Sequence, residues 1–203
     1  MHFICMGWVR NISISTLAFD ISQFFPSLNH CLLTLILGKV GFNPRVVKFF
    51  SNYLVGRKTQ YFWNSFSSFF NGDVRVGQRL ALSPILSALY LTPFLHILEN
   101  CLKNLKIPIS ILFFVDNSLL ITQSKSFSLS NFLLFYSYNI ISNLLSKFSL
   151  IVEHLKTKVF HFSRLYGLFN PPYFDLSPIG SSILYPKESW KYLGFIFNKK
   201  LSF

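Results

Sequence analysis

Phe113-Phe114-Val115-Asp116-Asn117-Ser118-Leu119-Leu120 sets an acid and an amide between two apolar runs. The first run reaches back to Ile109 and the second forward to Thr122. Asp-Asn between such runs is a β-hairpin signature, because both residues tolerate left-handed backbone angles. Upstream, Thr16 to Phe19 is another apolar run, ending on Asp20. Two helical patterns follow: Leu28 to Lys39, closed near Gly41, and Asn43 to Leu54. Thr59 to Trp63 and Asp73 to Val76 read as strands. Ser83-Pro84 is an N-cap followed by proline at the first helical position, opening a long apolar helix towards Cys101 that Pro93 should kink. After the hairpin, Ser130 to Phe148 reads as a helix, Val159 to Ser163 as a strand and Lys191 to Phe197 as a last strand. This order predicts an α+β fold, an antiparallel sheet with helices on one face. The nearest thing to a break is Gly167 to Gly180, so a single domain over 1–203 is the simplest account.

Composition narrows the class. The chain has 203 residues, 51% apolar and 18% aromatic with 25 Phe, which excludes a disordered tail. Lys and Arg total 19 against 7 Asp and Glu, and the net charge of +12 points to a polyanionic partner, nucleic acid or a lipid surface. Three widely spaced cysteines, Cys5, Cys31 and Cys101, form no CxxC pair and no Cys/His zinc cluster. The first ten residues lack the basic and apolar regions of a secretory signal, so the expected compartment is cytosolic or nuclear, not secretory. Only Ala18, Ala81 and Ala88 are alanine, beside abundant Phe, Ile, Asn, Lys and Tyr, as AT-rich codons would produce. That bias discounts the mean hydropathy of +0.43. Three windows, Ile21 to Gly38, Leu80 to Leu98 and Ser126 to Ser146, are uncharged and of about spanning length. They contain prolines, amides and histidines that are costly in hydrocarbon, so no membrane partner is expected, and a membrane-associated protein stays open as an alternative.

Two of the seven acids end apolar strands: Asp20 in Leu17-Ala18-Phe19-Asp20-Ile21, and Asp116. Side by side on one sheet, such carboxylates could hold a pair of Mg²⁺ ions, which in phosphoryl transfer activate the attacking oxygen and stabilise the leaving one. The plainer reading is that Asp20 caps the next segment and Asp116-Asn117 is only a turn.

In order along the chain stand Phe19-Asp20-Ile21-Ser22-Gln23-Phe24-Phe25-Pro26-Ser27-Leu28, then Gly77-Gln78 leading into Ala81-Leu82-Ser83-Pro84, then Phe114-Val115-Asp116-Asn117. They resemble three successive palm motifs of reverse transcriptases. Lys156-Thr157 after Phe148-Ser149-Leu150 resembles the fourth motif, and Trp190-Lys191-Tyr192-Leu193-Gly194 the primer-gripping segment after it. Tyr53-Leu54-Val55-Gly56-Arg57 is also in keeping, and the set, from roughly Gly7 to Phe203, is most similar to non-LTR (LINE-type) retrotransposon polymerases. The resemblance implies a polymerase palm, a ferredoxin-like antiparallel sheet with helices on one face. It implies RNA-directed DNA synthesis on an RNA template and DNA primer from deoxynucleoside triphosphates, and names no protein partner. Two Mg²⁺ ions, with Mn²⁺ as substitute, would be held by Asp20, Asp116 and the backbone carbonyl of Ile21. Phe25 would lie under the sugar of the incoming nucleotide, where a ring leaves no room for a 2′-hydroxyl. Gln78 would touch nucleotide or template, Lys156 would lie near the triphosphate as proton donor to pyrophosphate, and Trp190, Tyr192, Leu193 and Gly194 would form the primer grip.

Three positions depart from the family pattern. Asn117 replaces a second aspartate in the hairpin, removing one negative charge from the metal site. Arg79 replaces a glycine of the nucleotide-binding segment where backbone must approach the template base pair, and Leu80 replaces a small polar residue beside it. All three changes are reachable by C-to-T or G-to-A transitions, which suggests a decaying copy. Few residues precede the first motif and the chain ends soon after the grip, so the expectation is a domain lacking most of the fingers and all of the thumb. The expected protein is therefore a degenerate reverse transcriptase fragment, inactive or severely impaired. The alternative is a non-catalytic nucleic-acid-binding remnant using Arg45, Lys48, Arg57, Lys58, Lys103, Lys106, Lys199 and Lys200.

Overall fold

The computed structural model describes residues 12–55, 58–59, 62–63, 65–66, 70–71, 81–162, 173–176, 183–192 and 195–198. Ser13–Ser22 (β1) alternates: Leu17, Phe19 and Ile21 look to one side of the sheet, Ile14 and Ala18 to the other. Gln23, at φ 43°, breaks the strand into one helical turn, Phe24–Ser27 (α1). The Asn29 side chain accepts the Leu32 N–H at 3.1 Å and starts His30–Val40 (α2). Gly41, at φ 95°, ends it, a conformation glycine adopts without strain. Asn43 caps Pro44–Leu54 (α3), whose proline presets the first turn.

Ser83–Asn104 (α4) leads into a hairpin, Ile109–Phe114 (β2) and Asn117–Ser124 (β3). Ser126 accepts the Leu129 N–H and opens Phe127–Lys147 (α5), which returns the chain to Ile151–Phe162 (β4). The four strands form one antiparallel sheet in the order β2-β3-β1-β4. That is the split βαβ order of a ferredoxin-like palm. A further hairpin, Ser189–Tyr192 (β5) with Phe195–Asn198 (β6), follows.

Aromatic contacts knit the helices to one sheet face. Phe19 meets the Tyr138 ring edge-on at 5.4 Å, and Phe94 meets Phe113 at 5.4 Å and Phe148 at 5.8 Å, the geometry ring quadrupoles favour. Tyr90, fully buried, donates its hydroxyl to the Phe148 carbonyl at 2.5 Å, pairing an acceptor at the end of α5. On the opposite face Ile14, Leu119, Ile121, Phe160 and Phe162 form a second cluster against which Tyr192 and Phe197 pack. Among the described residues β2 is an edge strand, and its Leu112 and Phe114 are exposed. Helix α4 has the length and apolarity of a membrane span, yet Leu86, Tyr90, Phe94 and Leu98 on it are core residues.

The α+β sheet with helices on one face is the expected one, with corrected boundaries. Phe114 pairs with Asn117, so the hairpin turns on Val115-Asp116 rather than Asp116-Asn117. This register sends Leu120 to the helices and Leu119 and Ile121 to the second cluster, and it places Val115 at φ 59°, a strained angle for a β-branched residue. Helix α5 begins at Phe127, before Ser130, and α4 runs to Asn104, passing through Pro93. Leu82 occupies the cap position expected of Ser83, which is instead the buried first helical residue. Of the strand expected over Val159 to Ser163, Val159 to Phe162 is only the end of a 12-residue strand, whose first half is polar and bulged and so lacks alternation, and Ser163 lies outside the described residues. Lys191 to Phe197 is two paired strands, and Thr59 to Trp63 falls into the separate two-residue strands Lys58–Thr59 and Phe62–Trp63. Asp73 to Val76 lies outside the described residues.

Tyr90→Phe should leave the Phe148 carbonyl without this donor and lower stability by about 1–2 kcal/mol, read as a lower urea midpoint at unchanged slope.

Candidate active site

The register of β1 assembles the site. Asp20 stands opposite Asn117 of β3 on one side and Glu153 of β4 on the other. Asp116 sits at the tip of the hairpin: its carbonyl accepts the Ile21 N–H at 2.9 Å and its carboxylate accepts from Asn117 Nδ2 at 2.8 Å. The reading of Asp20 as a helix cap is excluded, since Gln23 occupies the α1 cap and Asn29 caps α2.

Pairing between β1 and β4 jumps here, from Ala18 against Lys158 to Asp20 against Glu153. His154 to Thr157 therefore bulge opposite Phe19, and the bulge carries Lys156 Nζ to 4.0 Å from Asp20 Oδ2. Tyr138 of α5 holds it: its hydroxyl is 2.7 Å from His154 Nδ1 and 3.4 Å from Thr157 Oγ1. Burial pushes the Tyr138 hydroxyl up to about 12, so it stays protonated as a hydrogen-bonding group.

Asp20, Asn117, Lys156 and Tyr192 line one cleft of about 290 Å³, together with Leu155, Lys158 and Lys191. Burial raises the Asp20 carboxyl above its ordinary range; Lys156 opposes this most strongly, and the charges of Asp116 and Glu153 add to it. Tyr192 is also raised, by burial and then by Asp20. Phe25 is half-buried on α1, edge-on to Phe24 at 5.3 Å and packed against the core; it does not line the cleft. Gln78, Arg79, Leu80, Leu193 and Gly194 lie outside the described residues, as does the Trp190 side chain, whose backbone pairs with Phe197. Lys158, Lys191 and Glu153 were not singled out by the sequence reading. Lys158 follows Lys156 at strand spacing, whereas the placement of Glu153 depends on the bulge.

Among the described residues no three His, Cys, Asp or Glu side chains gather as a metal centre. Asp20 and Asp116 do sit within electrostatic reach. Mg²⁺ commonly takes one or two carboxylates and completes its shell with water and substrate phosphates, so this donor set fits the ion, though sparsely.

Residues 11–197 match the family model described as reverse transcriptase (RNA-dependent DNA polymerase). The chain belongs to the reverse transcriptase family. No curated protein matches its sequence. Among solved structures, apo telomerase from Candida tropicalis truncated from its C-terminal domain is similar, at TM-score 0.62 and 16% identity over 99% of this chain and 38% of that one. Telomerase from Candida tropicalis in complex with the TWJ fragment of telomeric RNA gives 0.63 and 15%, over 99% and 32%. The corresponding Candida albicans complex gives 0.54 and 17%, over 93% and 31%. At these identities the likeness is one of fold, and this reverse transcriptase chain spans about a third of the length of those structures.

Because the folded state raises the Asp20 carboxyl above its ordinary 3.8, ionising it costs stability. That stability is fully present below the ordinary value and is lost as pH rises through the raised one. Asp20→Asn removes the effect, so its Tm should lie above the parent's at pH 7, and the difference should shrink as pH falls below 3.8 in thermal scans.

Proposed function

We propose that this chain is the palm of a non-LTR (LINE-type) RNA-directed DNA polymerase whose catalytic step is severely impaired. It retains a cleft for template, primer and nucleotide phosphates, and descends from an enzyme that copied RNA into DNA. The observation that carries this is the placement of Asp20 opposite Asn117, with Asp116 at the hairpin tip and Lys156 across the cleft. The ordered motifs from Asp20 to Gly194 supply the LINE-type assignment, and Asn117, Arg79 and Leu80 the degenerate state.

Asp20 and Asp116 would hold the divalent ions, which when bound supply Lewis-acid activation of a primer hydroxyl and neutralise phosphate charge. The protein's own groups divide the remaining work. Lys156, Lys158 and Lys191 line the cleft as cations suited to phosphate. The Tyr138 anchor on His154 and Thr157 positions the bulge backbone that carries Lys156. Asn117 works against the site: it contributes no charge, and its amide donates to the carboxylate of Asp116, occupying electron density a cation would use. A site with three cationic side chains and a thinned carboxylate set favours phosphate over metal.

Mn²⁺ binding read by water proton relaxation tests the reading. Asn117→Asp should tighten binding by about tenfold or more, the order expected when a carboxylate replaces a neutral ligand next to a divalent ion in a partly buried site. Adding Asp20→Ala to that variant should abolish the gain. Equal binding by all three proteins refutes a shared Asp20–Asp116 site.

A further inference from the structure

Helix α3 presents a second surface, made of residues that contribute nothing to the cleft. Val47, Phe50 and Tyr53 pack partly against the core, whereas Arg45, Val46, Lys48, Phe49 and Asn52 are exposed. Phe49 leaves 56% of its surface in water. Its ring lies nearly parallel to that of Tyr53, centroids 5.9 Å apart and planes 16° from each other. Arg45, Lys48 and Phe49 fall at i, i+3 and i+4, so one helix face carries both cations and the aromatic platform.

The helices of this segment carry charge of one sign. No Asp or Glu occurs between Asp20 and Asp73, so α1, α2 and α3 carry Lys39, Arg45 and Lys48 with no carboxylate among them. None of these three cations is in an ion pair among the described residues. An exposed ring, Phe49, backed by the half-buried Tyr53 and flanked by cations that form no ion pair among the described residues, is an arrangement by which proteins hold single strands: any base offers a ring face, and the backbone supplies the anion.

We propose that the exposed face of α3 is a binding site for single-stranded nucleic acid. A base stacks on the Phe49–Tyr53 pair while Arg45 and Lys48 take the neighbouring phosphates. The site is independent of metal binding by Asp20 and Asp116, so the two readings fail separately.

The test measures the full chain by anisotropy against labelled single-stranded oligo(dT) and against heparin, a polyanion without bases, across a salt series. Phe49→Ala should weaken oligo(dT) binding about tenfold and leave heparin binding unchanged. Arg45→Gln with Lys48→Gln should lower the slope of log affinity against log salt by about 1.4, or 0.7 for each lost phosphate contact. On the unaltered chain, photocrosslinking of a 5-bromodeoxyuridine oligonucleotide should label the tryptic peptide from Phe49 to Arg57. Unchanged oligo(dT) affinity in Phe49→Ala overturns the proposal, and so do equal losses on oligo(dT) and heparin. Crosslinks confined to cleft peptides overturn it even if the alanine variant does not fold. Binding to anionic vesicles that oligo(dT) cannot displace would assign the face to a lipid surface instead.

Discussion

β1 is hydrogen-bonded on both edges and covered on both faces, and that confinement fixes nearly everything else. Leu17, Phe19 and Ile21 must meet the helices while Ile14 and Ala18 meet the second cluster. A slip of one residue would reverse every one of these and turn Asp20 into the core. The same demand on Leu119, Leu120 and Ile121 holds β3 in place and forces the hairpin to turn on Val115 at φ 59°. Strain there is tolerated because burial on two faces outweighs about 1–3 kcal/mol of backbone cost. Asp20 and Asn117 face each other as a result of apolar packing, and the charge at position 117 plays no part in it.

That separation of scaffold from chemistry explains what could be read in the residues beforehand. Gly41, the helix from Asn43 to Leu54 and the long α4 helix have local signatures, and the structure carries each of them, whereas Asp20 lies two residues inside the end of β1 and Asp116 in the turn after β2. The bulge of β4 has none. His154 to Thr157 break the alternation; the Tyr138 hydroxyl, reached across the fold from α5, and the Thr157 hydroxyl on the Glu153 carbonyl hold the bulge. Glu153 stands opposite Asp20 because of that bulge, so no periodicity within its own segment announces it. The hairpin turn was displaced by one residue because Asp-Asn is the better turn by propensity, and burial of the flanking leucines overrode it.

Electrostatically the cleft is unlike a pure metal site. Lys156, Lys158 and Lys191 share it with Asp20 and Asn117, and Lys156 leans towards the very carboxylate a metal would need. The 4.0 Å pair is half-exposed and worth little in folding free energy. Its significance lies in occupancy: in the proposed metal site a divalent ion would have to compete with the Lys156 ammonium for Asp20. Outside the cleft the same excess of positive charge spreads over α2 and α3, which bear no acid at all.

The edge of the sheet has a bearing on how such a chain behaves in company. Among the described residues β2 pairs only with β3, and along it Leu112 and Phe114 face water. An edge of this kind is a template for another copy's edge, the first step towards ordered aggregates. What keeps copies apart is mutual repulsion from a net charge of +12, which acts over about 10 Å at 0.1 M salt and less as salt rises. Colloidal stability and release of the proposed polyanionic partner would therefore pull against each other. Salt that strips a polyanion from the cationic faces would also lower the barrier between edges, and a bound strand that neutralised the protein would do the same from the other direction.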